Sequence, residues 1–261
     1  MDADVQNVQR CPVLGLLGLR ELKTLSRCLS SLFLLYALPF VLGLATGCAG
    51  TGPSYPIEQH LAERNLGTNV PVVLVDLDDT LYEREVDRPL CGSPSSLQDL
   101  ARDHLIVYLT ARPTYAKIPW VTHNRDDSIE FLEKNGFPPG PLFTSSFWNW
   151  LYHGEGGGKV ASCRQLREFG VGAVALAVGD RPHDLDAYLN NPHVAVEHVV
   201  VILIEDTDRV DRDRVDLPEQ ALANRLQGSG PAWPRILDAY RRGELRGQHS
   251  WTISQSLPTA D

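Results

Sequence analysis

Two aspartates, Asp76 and Asp78, lie two residues apart at the end of an apolar run, Val70-Pro71-Val72-Val73-Leu74-Val75. Side chains two apart leave a strand on the same side, so both carboxyls can approach one point beyond its end. A carboxylate there can attack phosphorus and form an aspartyl phosphate, which divides hydrolysis into two easier steps. The second carboxyl protonates the leaving alkoxide and then takes a proton from the incoming water, a contribution of about 10²–10⁴-fold. Two carboxylates repel a phosphate dianion, so this chemistry calls for a cation. Mg2+ suits all-oxygen ligands and keeps several waters. Asp180 is the natural further ligand, and Asp184, four residues on, holds a metal-bound water or orients the site. The candidate metal set is therefore Asp76, Asp78, Asp180 and Asp184. Thr110 offers a hydroxyl and Lys159 an ammonium to the phosphoryl oxygens, as preorganised donors worth about 3–4 kcal/mol each. Taken singly these are weak signals, since a lone Asp-x-Asp is usually a solvated turn and a lysine beside Gly156-Gly157-Gly158 a solvated side chain.

Their placement relative to predicted elements strengthens them. Strands are expected at Val70–Val75, Leu105–Leu109, Ala173–Val178 and Val199–Ile204, each a short apolar run of the kind buried on both faces of a parallel sheet. The first ends at Asp76, the second at Thr110-Ala111-Arg112-Pro113 and the third at Gly179-Asp180. Helices are expected between them. Ser93-Pro94 opens one, Asp126 or Asp127 caps the next before Gly136 ends it, and a third runs from about Lys159 to Gly170. Alternation of strands and helices implies an α/β fold, a mostly parallel sheet with helices on both faces. Ligands bind such sheets outside the carboxyl ends of the strands, which is where these polar groups fall.

The series DLDDT (Asp76 to Thr80), YLTARP with Thr110, Lys159, and GDRPHD with Asp180 and Asp184 resembles the haloacid dehalogenase superfamily. That resemblance spans residues of about 70 to 190. It implies a Rossmann-like fold and phosphatase activity, with Asp76 as nucleophile, Asp78 as acid and base, and Thr110 and Lys159 as phosphate holders. It also implies Mg2+ bound by Asp76, Asp180 and the backbone carbonyl of Asp78. YLTARP, GFPPGPLFTS (Gly136 to Ser145) and GDRPHDLDAY further resemble the catalytic domain of lipin-type phosphatidate phosphatases, which usually carry Gly at the position of Asp79. The gaps from Thr80 to Thr110 and from Thr110 to Lys159 leave no room for a large lid, so a minimal cap is expected. Tyr115, Trp120, Phe147, Trp148 and Trp150 either line the mouth of the site or pack in the core. Arg112 and Arg181 either contact substrate phosphate or pair with nearby acids.

Residues 31 to 47 are apolar and uncharged, with Arg20, Lys23 and Arg27 just upstream, as in a secretory signal. Ala45-Thr46-Gly47-Cys48 resembles the lipobox of bacterial lipoproteins, which implies acylation of Cys48 and an exported protein held on the periplasmic or cell-surface side of a membrane. The expected organisation is a signal at 1–47, a Gly/Pro tether at 48–56, one phosphatase-like domain at 57–245 and a disordered tail at 246–261. Trp233 to Tyr240 reads as a helix docked on the core. Five cysteines without metal-ligand spacing argue against structural zinc. Cys91 and Cys163 either pair or remain separate thiols. The net charge of −9 argues against general nucleic-acid binding, which needs a basic face. The expected partner is a phosphorylated small molecule or phospholipid, phosphatidate among them. A broad-specificity acid phosphatase or nucleotidase, and a non-catalytic phosphoryl- or lipid-binding module, are the alternatives.

Overall fold

The computed structural model describes residues 70–83, 88–114, 124–145, 147–204, 224–246 and 250–255, and for 147–155 the backbone only. These belong to one compact unit, Gly47–Asp261. The expected signal at 1–47, Cys48 and the tether at 48–56 lie outside the described residues. So do Tyr115, Trp120 and the side chains of Phe147, Trp148 and Trp150. No described helix is long and apolar enough to cross a membrane.

The apolar runs form a six-stranded sheet. In chain order its strands are β1 (Val72–Asp76), β4 (Leu105–Pro113), β5 (Leu142–Ser145), β6 (Ala173–Gly179), β7 (Ala195–Ile204) and β8 (Ser250–Gln255). Two-residue strands β2 (Tyr82–Glu83) and β3 (Arg88–Pro89) pair as a small antiparallel ribbon between β1 and the first helix. The main sheet has the order β5-β4-β1-β6-β7-β8, and every pairing is parallel. Alternate strand residues enter two separate cores, which is why these strands read as continuous apolar runs. Val73, Val75, Ile106, Tyr108 and Val200 pack with helices α1 (Ser93–Leu100), α2 (Arg125–Lys134) and α5 (Ala232–Arg242). Leu74, Val107, Leu109, Ala177 and Val201 pack with α3 (Phe147–Glu168) and α4 (Pro182–Leu189). The expected α/β architecture, with helices on both faces, is the observed one.

Several boundaries differ from expectation. Helix α1 is entered through Gly92 at φ 78 with no side-chain cap, because the Ser93 hydroxyl instead donates to the carbonyls of Leu81 and Leu90. The cap of α2 is Asn124, not Asp126 or Asp127. Its side chain accepts from the backbone N–H of both, and Asp127 returns a bond to the Asn124 N–H. Helix α3 starts at Phe147, twelve residues before Lys159, and runs through the glycines. Helical glycine costs about 1 kcal/mol against alanine, but packing decides here. A Cβ on Gly158 would sit 2.5 Å from Ser145 Oγ, so the glycine lets α3 pass close against the end of β5.

The tail reading is corrected for Ser250–Gln255. That segment is strand β8, paired with β7 from Val199↔Ser250 to Ile204↔Gln255. Its polar composition hid it, but the polar groups are used: Gln255 Oε1 accepts from the backbone N–H of Ala232, 2.6 Å away, at the exposed-donor end of α5. Helix α5 docks as expected, with Trp233 and Ile236 fully buried.

Candidate active site

The strand register assembles the site. Pairing of Asp76 with Leu109 puts Thr110 one residue beyond it on the neighbouring strand. Pairing of Val75 with Val178 on the other side sets Asp76 level with Gly179, immediately before Asp180. Lys159 comes from α3 and Asp184 from the first turn of α4. One carboxylate oxygen from each of Asp76, Asp180 and Asp184 falls within 4.8 Å of the others, and all three residues are buried. Lys159 Nζ lies 2.9 Å from Asp76 Oδ1 and also pairs with Asp184 Oδ1. Asp184 is fixed from behind, since its Oδ2 accepts from the backbone N–H groups of Asp180 (3.1 Å) and Arg181 (3.2 Å). A Cβ on residue 179 would lie 2.6 Å from Asp184 Cβ and Oδ2, so the strand must end in glycine for Asp184 to come this close.

Four ionisable groups in so little space perturb one another. Burial, opposed by Lys159 and reinforced by Asp184 and Asp78, pushes the Asp76 carboxyl up to about 7. Burial, with repulsion from Asp184 and Asp76, holds Asp180 well above the usual carboxylate range. Burial works against the charge on Asp184 too, but Lys159 and His183 outweigh it and hold its carboxyl below that range. Lys159 is likewise desolvated, yet Asp184 and Asp76 hold its ammonium well above the ordinary lysine value. Physically this is a charged Lys159–Asp184 pair beside two carboxyls that prefer protons until a cation compensates them. The donors are all hard oxygens, a set suited to Mg2+ or Ca2+ rather than to thiophilic metals. The triad of Asp76, Asp180 and Asp184 could therefore hold a metal ion.

Asp78 sits in the turn that follows β1. The turn is tight: Leu81 N–H donates to the Leu77 carbonyl at 2.8 Å, and Asp79 adopts φ 55. This left-handed conformation is the one that glycine adopts freely. Helix α5 braces the turn from outside, with Trp233 Nε1 donating to the Thr80 carbonyl at 2.7 Å. The Asp78 carboxyl does not join the triad of Asp76, Asp180 and Asp184, and the metal role expected of Asp78 is for its backbone carbonyl. Instead the carboxyl pairs with Arg112, 2.8 Å from the guanidinium. Thr110 is buried, and its hydroxyl oxygen accepts from the Arg112 backbone N–H at 3.2 Å. Arg181, the other arginine flagged in the sequence, lies 3.3 Å from Asp180 Oδ2. Both arginines thus pair with acids of the site. Tyr82, Ser128 and Gly179 also shape it and were not anticipated; Tyr82, four residues after Asp78, offered the one local cue. Cys91 and Cys163 are free thiols, one exposed and one buried, so they do not pair.

No family model matches this chain, and no curated protein matches it.

Proposed function

We propose that the chain is a Mg2+-dependent phosphomonoesterase of haloacid dehalogenase type, with Asp76 as its nucleophile. The observation that carries this reading is the buried convergence of Asp76, Asp180 and Asp184 around Lys159 at the carboxyl ends of parallel strands. Mg2+ held by Asp76, Asp180 and Asp184 would neutralise the charge that gathers when a phosphate dianion meets these carboxylates. Asp76 attacks phosphorus as the ester bond to the alcohol breaks, and Asp78 gives the departing oxygen a proton. Water then attacks phosphorus, Asp78 takes its proton, and the bond to Asp76 breaks to free inorganic phosphate. Lys159 and Thr110 stand beside the nucleophile to steady the transferring group, and burial strengthens each such interaction.

The lipin-type resemblance makes phosphatidate or another phosphorylated lipid the first substrate class to try, with soluble esters and nucleotides as the broad-specificity alternative. Acylation at Cys48 would hold the enzyme on the periplasmic or cell-surface side of a membrane, near such lipids. The test uses the full chain, with and without Mg2+, beside Asp76→Asn. Phosphate release is followed from para-nitrophenyl phosphate, a nucleotide panel and phosphatidate in mixed micelles. Release that needs Mg2+ and disappears in Asp76→Asn is expected, because an amide cannot act as the nucleophile. Full turnover in Asp76→Asn refutes the assignment. Membrane retention of Cys48→Ser would refute the lipid anchor.

A further inference from the structure

Arg112 grips Asp78 at two points. Its Nε lies 3.1 Å from Oδ2 and its NH2 2.8 Å from Oδ1. The remaining nitrogen, NH1, donates to Ser128 Oγ at 2.9 Å. Ser128 in turn donates to the carbonyl of Asn124 at 2.8 Å, the cap residue of α2. Tyr82 completes the arrangement: its hydroxyl donates to Asp78 Oδ1 and accepts from Arg112 NH2, and the guanidinium carbon lies 4.8 Å from its ring centroid. Tyr82 and Ser128 are fully buried and Arg112 is 6% exposed.

This geometry decides between the two roles open to Arg112. All three guanidinium nitrogens are committed to protein acceptors, which leaves the arginine poorly disposed to clamp a substrate phosphate. A two-point fork fixes the rotation of a carboxyl as well as its distance, which a lysine cannot do. We propose that Arg112 is a positioning residue, held by Ser128 and Tyr82, that aims the Asp78 carboxylate at the water attacking the aspartyl phosphate. This rests on the phosphomonoesterase reading. In that step the water oxygen bonds to phosphorus and the phosphorus–Asp76 bond breaks. The water proton passes to Asp78, and inorganic phosphate leaves. With a leaving group that needs no proton, loss of the fork slows this second half more than the first.

Para-nitrophenyl phosphate isolates the effect, because nitrophenolate departs as an anion and needs no proton. The full chain with Mg2+ is studied as wild type, Arg112→Lys and Ser128→Ala, by rapid mixing and by acid-quench trapping of phosphate on the protein. Arg112→Lys is expected to lower kcat by about ten- to a hundredfold, a fraction of what proton transfer contributes. Its kcat/KM falls far less, a burst of nitrophenol appears, and trapped phosphoenzyme accumulates. Ser128→Ala, which keeps the fork but removes its outer anchor, shows the same pattern more weakly and keeps the test open if Arg112→Lys folds poorly. Equal falls in kcat and kcat/KM without phosphoenzyme, or a rise in KM alone, overturn the positioning role. A wild-type chain that releases no nitrophenol overturns the phosphomonoesterase reading itself, and this proposal with it.

Discussion

Replacing Lys159 with methionine tests the electrostatic logic of the site. Lys159 is 2% exposed and lies 2.9 Å from Asp76 while also pairing with Asp184. Methionine is unbranched and of similar bulk, so the change leaves little cavity and removes mainly the charge. Breaking a buried pair by deleting one partner costs about 3–5 kcal/mol. At about 2–4 °C per kcal/mol for a domain of this size, the metal-free melting temperature should fall by roughly 6–20 °C at pH 8. The loss should be conditional. Asp76 already titrates at about 7 in the presence of Lys159, and without the ammonium its carboxyl moves higher still. At pH 5.5 the cluster then carries protons in place of the lost cation, and the deficit shrinks. Saturating Mg2+ at pH 8 should shrink it in the same way, while phosphate release stays about 10²–10³-fold depressed for want of a preorganised donor. The assay is thermal melting of both proteins at the two pH values, in chelator and in Mg2+. A deficit that is the same in all four conditions would mean that Lys159 acts by packing, and the electrostatic account fails.

Three further outcomes are expected. Because the folded Asp76 carboxyl titrates at about 7 against 3.8 unfolded, the metal-free protein loses stability as pH rises from about 4 through 7; Mg2+ displaces that proton, so its stabilisation in melting experiments should grow between pH 5.5 and 8, and a flat response would count against Asp76 as a ligand. Gly179→Ala drives a Cβ to 2.6 Å from Asp184, so it should cost about 1–3 kcal/mol in denaturant unfolding and weaken Mg2+ binding in titration calorimetry; unchanged binding would refute the close-approach argument. The Arg241 bond, aided by His104 and opposed by burial, holds Asp103 down at about 2, so its contribution to stability is present above pH 4 and is lost as pH falls through 2; since that side chain is half exposed, Asp103→Asn should cost no more than about 1 kcal/mol at pH 7, with the difference vanishing near pH 2, and a difference that persists there would point to a role other than charge.

What could be read in the chain follows from which interactions are local. Asp76, Thr110 and Asp180 were legible because each ends an apolar run, and parallel strands in register necessarily bring such ends together. Lys159 and Asp184 were legible only as motif partners; their meeting depends on Gly158 and Gly179, whose missing side chains let α3 and α4 close on the sheet. Strand β8 was not legible, because its polar side chains find partners far away in sequence, Ser254 in Arg225 and Gln255 in the start of α5. The tether of Asp78 was legible only in part, since Arg112 reads either as a phosphate contact or as the partner of a nearby acid. Tyr82 is local to Asp78, but Arg112 at the end of β4 and Ser128 in α2 meet that turn only in the folded sheet, and no spacing rule joins them. Sequence therefore marks the groups that could do the chemistry, and tertiary packing divides them: Asp76, Asp180 and Asp184 gather around Lys159 where a cation can bind, while Asp78 is held apart by Arg112. Two carboxyls two residues apart thus differ in environment, and such a difference is what the proposed nucleophile and the proposed acid–base group need if they are to take different parts in one reaction.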